Sequence, residues 1–120
     1  MPIPSSAALA DAWLDAFNTA DLDGLLALYA DVCTHTSPKI RTLHPDTGGK
    51  LVGKTALREW WAGAFARLPG IRYEKTAVTA DDRRVILEYV RHAPNEPPMF
   101  VAEAFDVTDG RISASRVYHG

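Results

Sequence analysis

The sequence predicts an α+β fold, with helices in the first half of the chain and a sheet of antiparallel strands in the second. Over much of the first 68 residues, apolar residues recur at helical spacing. The rest of the chain alternates apolar and polar residues with the period of strands. Thr108-Asp109-Gly110 also provides a tight turn between two strand-like segments. Helices followed by a meander of strands define the α+β class.

Two amphipathic helices open the predicted fold. Over residues 7–18, apolar side chains that include Trp13 and Phe17 recur every four residues, which is the spacing of one helix face. Asp21 then caps a shorter second helix, whose apolar stripe extends to Tyr29. The two stripes predict helices with one buried face each.

A third helix and five strands complete the prediction. Residues 32–37 form a short strand and residues 39–52 a long loop, before the third helix over residues 55–68. Loops of that length often act as lids or binding loops. The last part of the chain contains the strands of the meander, at residues 71–79, 84–92, 99–107 and 111–119.

The composition limits the classes of protein that fit this fold. The chain has 120 residues, of which 47% are hydrophobic and 23% charged, and 13 Lys and Arg against 15 Asp and Glu give a net charge of −2. These values predict one globular domain over residues 1–120. A basic excess, which nucleic-acid binding usually requires, is absent from the sequence. Cys33 has no partner cysteine for an internal disulfide.

The sequence contains no segment typical of a membrane span or a signal peptide. Its apolar runs are shorter than the roughly 20 residues of a spanning helix. Residues 1–10 lack the basic start and the apolar stretch of a signal peptide. We therefore expect a cytoplasmic protein without membrane or nucleic-acid partners.

Three motifs carry a resemblance to a known family. Residues 18–31, NTADLDGLLALYAD, resemble the helix-break-helix opening of the nuclear transport factor 2-like superfamily, most closely its SnoaL-like and ketosteroid-isomerase-like members. GKTALREW at residues 53–60 is similar to that family's third helix, and DGRI at residues 109–112 to its last hairpin. The resemblance implies a cone-shaped, strongly curved antiparallel sheet wrapped around three N-terminal helices, enclosing an apolar pocket. It also implies a homodimer formed through the outer face of the sheet.

The residues of the ketosteroid-isomerase pattern are partly present. The resemblance places Trp13 where the family has an oxyanion-binding tyrosine, and Ser37 where it has a general-base aspartate. Glu103 falls at the position of the family's protonated carboxylic acid. Because two of the three groups are missing, steroid isomerisation by that mechanism is not expected. The fold alone does not select another activity.

Strand alternation predicts which side chains face the pocket. With a three-residue loop in the last hairpin, Glu103 lies opposite Ser115 and both face the pocket. A two-residue turn would instead direct Arg116 and Tyr118 inward, because a slip of one residue flips the strand. The first register is preferred because it agrees with the family's pocket positions. The candidate ligand-contacting residues are then Trp13, Phe17, Ser37, Trp60, Arg91, Phe105, Ser115 and His119.

Glu103, His35 and Tyr89 are the candidate catalytic residues. Glu103 lies in an otherwise apolar strand, where desolvation raises the pKa of a carboxyl group towards the range useful for proton transfer. His35 is a candidate acid or base near neutral pH, and either His35 or Tyr89 would polarise the substrate. A purely structural Glu103, satisfied by a neighbouring polar group or water, is the alternative. Glu103, His35 and His119 have the composition of a facial metal triad, but their spacing carries no metal motif, so no metal or cofactor is predicted.

The opposite face of the sheet is predicted to be a subunit interface. It would present small apolar residues and a cross-strand pair of Glu88 with Arg116. Such a surface suits a two-fold homodimer better than open water.

These features together predict a small-molecule pocket protein. The leading hypothesis is a cofactor-independent acid/base enzyme of isomerase, cyclase, dehydratase or hydrolase type, acting on a mostly apolar, oxygenated substrate. The alternative is a non-catalytic ligand-binding or dimerisation module of the same fold.

Overall fold

The computed structural model describes residues 5–120, and this part of the chain forms four α-helices and a six-stranded sheet. The α+β class predicted from the sequence is confirmed. The helices are α1 (Ser6–Asn18), α2 (Leu22–Ala27), α3 (Pro38–Leu43) and α4 (Lys54–Arg67). The strands are β1 (Tyr29–Thr36), β2 (Lys50–Val52), β3 (Arg72–Ala80), β4 (Arg84–His92), β5 (Met99–Thr108) and β6 (Arg111–His119). No helix among these residues is long and apolar enough to cross a membrane.

The strands of the sheet follow the order β2-β1-β6-β5-β4-β3. Four of the five neighbouring pairs are antiparallel, and three of these form the predicted meander; the fourth joins β1 to β2, which lies in the segment predicted as a loop, and β1 and β6 run parallel. A parallel pair needs a long crossover, and here the whole chain between the two strands provides it. The early strand β1 thereby lies beside the last strand of the meander.

Polar caps begin the first two helices, and the sheet ends the second. The Ser5 side chain accepts a hydrogen bond from the N–H of Ala8 at 3.2 Å, and Asp21 caps α2 as predicted. Tyr29 is the first residue of β1 and not the end of the predicted second helix. The reason is that the Leu28 carbonyl accepts the N–H of Ile112 at 2.8 Å, which takes the chain into the sheet.

The segment predicted as a loop over residues 39–52 contains α3, a 3₁₀ turn and β2. The Ser37 hydroxyl accepts a hydrogen bond from the N–H of Lys39 at 3.2 Å, and Pro38 occupies the first position of α3. Both residue types favour a helix start. Strand β2 then pairs with β1, so the segment is held at both ends.

The last hairpin corrects the predicted register. A two-residue turn at Asp109-Gly110, with both residues at positive φ, joins β5 to β6, and Glu103 lies opposite Val117 rather than Ser115. Ser113 is an extra residue in β6, and this β-bulge restores the original alternation. Glu103 and Ser115 therefore still project from the same face of the sheet, as predicted.

The helices lie against the inner face of the sheet, and a mostly aromatic core fills the space between them. Trp13 is 1% exposed, and its ring centroid lies 5.4 Å from those of both Phe17 and Phe105. The cone-shaped enclosure implied by the family resemblance describes this arrangement.

The outer face of the sheet differs from the prediction in its ion pair. Arg116 donates two hydrogen bonds to Asp106, at 2.8 and 2.9 Å, and does not pair with Glu88. Asp106 is on the neighbouring strand β5, whereas Glu88 is one strand further away on β4. Phe100 and Tyr118 are exposed on β5 and β6, at 74% and 56%.

Candidate functional site

A cavity of about 260 Å³ lies between the inner face of the sheet and helices α1, α3 and α4. Aromatic side chains form much of its wall, among them Phe17, Trp60 and Tyr73. Leu43 of α3 also lines the cavity and is 49% exposed, so the cavity reaches the surface here. An apolar cavity with a few polar groups is the usual form of a small-molecule site.

The cavity brings together nine of the eleven residues that the sequence predicts for the site. They come from helices α1 and α4, from strands β1, β4, β5 and β6, and from the start of α3. These nine residues are Trp13, Phe17, His35, Ser37, Trp60, Tyr89, Arg91, Glu103 and His119.

Phe105 and Ser115, the other two predicted residues, lie behind the cavity wall and not on it. Phe105 is completely buried, and the indole of Trp13 packs against it at a centroid distance of 5.4 Å. Ser115 is also completely buried and is covered by the side chains it bonds, Tyr29 and His35. Strand alternation predicts the correct face for both residues but not their depth below the cavity.

The Glu103 carboxyl group is held in the cavity wall with one oxygen bonded and the other unpaired. The Tyr89 hydroxyl donates to Oε1 at 2.9 Å, whereas Oε2 has no hydrogen-bond partner within residues 5–120. Glu103 is 1% exposed, and burial raises its pKa from 4.5 to about 8. At neutral pH Glu103 is therefore mainly a neutral carboxylic acid, and a hydrogen on its Oε2 has no acceptor within residues 5–120.

A chain of buried hydrogen bonds leads from the core to His35. Trp13 Nε1 donates to the Tyr29 hydroxyl at 3.2 Å, the Tyr29 hydroxyl lies 2.8 Å from Ser115 Oγ, and Ser115 Oγ lies 2.6 Å from His35 Nδ1. All four side chains are buried. The His35 ring forms part of the cavity wall, so this series of hydrogen bonds ends at the cavity.

The direction of these hydrogen bonds fixes the tautomer of His35. If Tyr29 donates to Ser115 and Ser115 donates to Nδ1, every hydrogen in the chain has an acceptor. Any other direction leaves one of the two hydroxyl hydrogens without an acceptor among the hydrogen-bond partners within residues 5–120, which costs roughly 1–3 kcal/mol. Burial also lowers the pKa of His35 from 6.5 to about 3, so the ring is neutral at neutral pH. His35 is thus a neutral imidazole with its proton on Nε2, a hydrogen-bond donor.

We expect nitrogen NMR to show this tautomer directly. In the wild-type protein, Nε2 of His35 should be protonated and Nδ1 should not, at neutral pH. The Ser115→Ala variant should lose this preference, since Nδ1 loses its donor, whereas Ser113→Ala on the same strand should leave the His35 signals unchanged. A proton on Nδ1 in the wild type would contradict the assignment.

Sequence reasoning missed two aromatic residues of the site region. Tyr73 lines the cavity and stacks between Phe17 and Tyr89, with ring centroids 3.9 and 4.2 Å away. The alternation of β3 contains the signal, because Tyr73 is the register partner of Arg91. The role of Tyr29 had no local signal, since its partner Ser115 is 86 residues away in the chain.

Charged and titratable groups gather at another part of the wall. Arg91 is 6% exposed and its Nη1 donates to Glu96 Oε1 at 2.7 Å. His119 lines the same region, and its pKa is lowered by burial and by the positive charges of Lys39 and Arg91. Hence His119 is also mainly neutral at neutral pH.

Within residues 5–120, no group of three or more His, Cys, Asp or Glu side chains is placed to hold a metal ion. Glu103, His35 and His119 all line the cavity but do not form such a group.

The fold and the cavity define this chain as a small α+β protein with a partly enclosed, ligand-sized pocket. Residues 10–115 match the family model of the SnoaL-like domain, and the chain belongs to this family. The resemblance found in the sequence motifs is thereby confirmed. The comparison with curated proteins gives no match.

Solved structures share the fold over nearly their whole length. A SnoaL-like protein of unknown function from Burkholderia thailandensis is 26% identical, with a TM-score of 0.82 over 98% of this chain and 99% of that one. A Sinorhizobium meliloti protein provisionally named polyketide cyclase is 20% identical, with a TM-score of 0.77 over 92% and 94%. TerC, co-crystallised with polyporic acid, is 16% identical, with a TM-score of 0.81 over 95% and 90%.

Proposed function

We propose that the chain binds a mostly apolar, oxygenated small molecule in its cavity and acts on it by cofactor-independent acid/base chemistry. The observation that carries the proposal is the buried Glu103 carboxyl group, whose Oε2 has no partner among residues 5–120. A buried polar group usually has a hydrogen-bond partner, and leaving one unpaired is costly. A ligand oxygen in the cavity would supply the missing partner.

Glu103 is the proposed proton donor. As a neutral acid, it would donate its Oε2 hydrogen to a carbonyl or hydroxyl oxygen of the ligand. Full transfer would leave a carboxylate, and the Tyr89 hydroxyl, 2.9 Å from Oε1, would stabilise the negative charge. Tyr89 is therefore proposed as a positioning residue for Glu103.

His35 is proposed as a second hydrogen-bond donor to the ligand. Its neutral, Nε2-protonated ring can polarise a ligand oxygen but does not offer a basic nitrogen to the cavity. Two neutral donors on an aromatic wall suit a reaction in which negative charge develops on an oxygen. Attack of an enol carbon on a carbonyl group, the bond-forming step of an aldol-type cyclisation, meets this requirement. Glu103 would donate its hydrogen to the carbonyl oxygen as the carbon–carbon bond forms, and the resulting carboxylate would take up the proton that the enol hydroxyl releases.

The names of two proteins with the same fold support a small organic substrate. One is provisionally named polyketide cyclase, and TerC was crystallised with polyporic acid. These names describe the two other proteins and give only supporting evidence. The proposal for the present chain depends on the geometry of Glu103.

A ligand and turnover screen tests the proposal. The panel contains aromatic ketones, hydroxyketones and epoxides, each examined by thermal shift and by product analysis with wild type, Glu103→Gln and Glu88→Gln. A ligand present at a hundred times its Kd should stabilise the folded state by about 2.7 kcal/mol. We expect a hit that the wild type and Glu88→Gln convert and that Glu103→Gln does not.

Two other outcomes of this screen would change the conclusion. Saturable binding without conversion by the wild type would favour the non-catalytic binding module. Conversion that is equally fast in Glu103→Gln would contradict the role of Glu103.

We also propose that the chain forms a homodimer through the outer face of its sheet. Exposed Phe100 and Tyr118 favour an apolar contact on this face. A light-scattering mass of twice 13.1 kDa is the expected result. A monomeric mass at the concentrations used for the screen would contradict it.

A further inference from the structure

We propose that the cavity contains an anion-binding subsite formed by Arg91, Lys39 and His119, and that its ligand carries a carboxylate or a similarly acidic oxygen. This inference deepens the proposed function and rests on the cavity being a ligand site. It names the chemical class of the ligand, which the acid/base roles of Glu103 and His35 leave open.

The first argument is the charge of the cavity wall. Lys39, Arg67 and Arg91 line it as cations, and Glu96, which pairs with Arg91 at 2.7 Å, is the one carboxylate among the lining residues once Glu103 is neutral. The wall thus carries a net charge of +2, although the whole chain carries −2. Positive charge concentrated in a cavity with aromatic walls favours an anionic ligand.

The second argument is the burial of Arg91. Its side chain is 7% exposed, and a charged side chain is rarely buried to this extent unless it is fully paired. The guanidinium group has five N–H hydrogens; one on Nη1 donates to Glu96 Oε1 at 2.7 Å, and the Tyr73 hydroxyl is a second side-chain partner of Arg91. Arg91 also lines the cavity, and a ligand carboxylate there could accept two parallel hydrogen bonds from its planar donor set.

The third argument is that the other members of the subsite come from different elements and meet beside Arg91. Lys39 is in α3, His119 in β6 and Arg91 in β4, yet the charges of Lys39 and Arg91 both act on His119. Both also act on Glu96. Lys39 makes no ion pair within residues 5–120 in which its nitrogen lies within 4 Å of a carboxylate oxygen. A ligand carboxylate would supply one.

Helix α3 contributes Lys39 to the cavity wall. Ser37 starts this short helix by accepting the N–H of Lys39, which sets Lys39 at the wall. A ligand held by its anionic end at Arg91 and Lys39 would extend its apolar body along the aromatic wall. Its oxygen at the other end would then be available to Glu103.

Binding of cinnamate and its neutral analogue cinnamamide, measured by calorimetry, tests the proposal. The two probes share an apolar aromatic body and differ in the charge of one group. We expect the wild-type protein to bind cinnamate at least about tenfold more tightly than cinnamamide, the effect of a charge-assisted hydrogen bond. Arg91→Gln and Lys39→Gln should each reduce this preference. Lys50→Gln, an exposed lysine on β2 outside the cavity lining, should retain it.

The outcomes separate this inference from the proposed function. Lys39 is half-buried and Arg91 is buried, so Lys39→Gln keeps the test valid if Arg91→Gln fails to fold. If cinnamate binds no more tightly than cinnamamide, the proposal of an anion-binding subsite is wrong. Equal binding of the two probes would still agree with the proposed function, because both would then occupy the cavity. If neither probe binds and the neutral panel also gives no hit, the proposed function fails with it.

Discussion

The Glu103→Gln variant is expected to keep its stability between about pH 6.5 and pH 8, a range in which the wild-type protein loses about 1 kcal/mol. Glutamine has the shape of the neutral acid and can accept the hydrogen bond from Tyr89, but it does not ionise. The free energy of unfolding of the variant should therefore be similar to that of the wild type near pH 6.5 and higher than that of the wild type near pH 8.

The sign follows from the pKa of Glu103 in the two states. Burial raises it from 4.5 in the unfolded chain to about 8 in the folded protein, so the folded state holds the proton more tightly. Stability is then greatest below the unfolded pKa and is lost as the pH rises towards the folded pKa. Each pH unit between these values changes the free energy of unfolding by about 1.4 kcal/mol.

His35 has the opposite dependence. Its pKa falls from 6.5 to about 3 on folding, so its contribution is complete above pH 6.5 and is lost as the pH falls. The two effects largely cancel between about pH 4.5 and 6.5, and the Glu103 effect alone remains above that range. Urea unfolding of wild type, Glu103→Gln and the exposed control Glu88→Gln at several pH values measures this. Parallel profiles for all three proteins would contradict the raised pKa of Glu103.

The Trp13→Ala variant is expected to destabilise the fold by about 3–5 kcal/mol, a large part of the 5–15 kcal/mol typical of a domain. Trp13 is 1% exposed and packs against the rings of Phe17, Tyr73 and Phe105. Its removal leaves a cavity in the core and also removes the indole N–H that donates a hydrogen bond to the Tyr29 hydroxyl.

Trp13→Phe separates the two contributions. It retains most of the aromatic packing and loses the hydrogen bond to Tyr29, so the expected cost is nearer 1–2 kcal/mol. Trp60→Ala is the comparison at a partly exposed tryptophan of the same cavity. Urea unfolding of the three variants measures these differences. A Trp13→Ala protein as stable as Trp60→Ala would contradict the structural role of Trp13.

The candidate site was predictable from strand parity, although the turn on which parity depends was not. Both the predicted three-residue loop and the observed two-residue turn with a bulge at Ser113 place Glu103 on the inner face. Two different local structures thus give the same side-chain orientation. The bulge has no clear sequence signal, so the register partner of Glu103 was predicted wrongly as Ser115.

Helix α3 and the series of hydrogen bonds that ends at His35 show two reasons why sequence patterns did not predict every part of the site. Six residues are too few for helical periodicity, although Ser37 and Pro38 form a recognisable helix start. The Tyr29–Ser115 hydrogen bond depends on the parallel pairing of β1 with β6, which joins distant parts of the chain. Local spacing contains no information about such a pair.

The titration of the Glu103 side chain tests the central claim most directly. The NMR shift of its carboxyl carbon, assigned by its absence from Glu103→Gln, reports the fraction of neutral acid at each pH. The structure predicts a titration midpoint near 8, so that Glu103 can donate a proton at neutral pH. A midpoint near 4.5, the ordinary value for glutamate, would mean an ionised carboxylate and would contradict its role as the proton donor of the cavity.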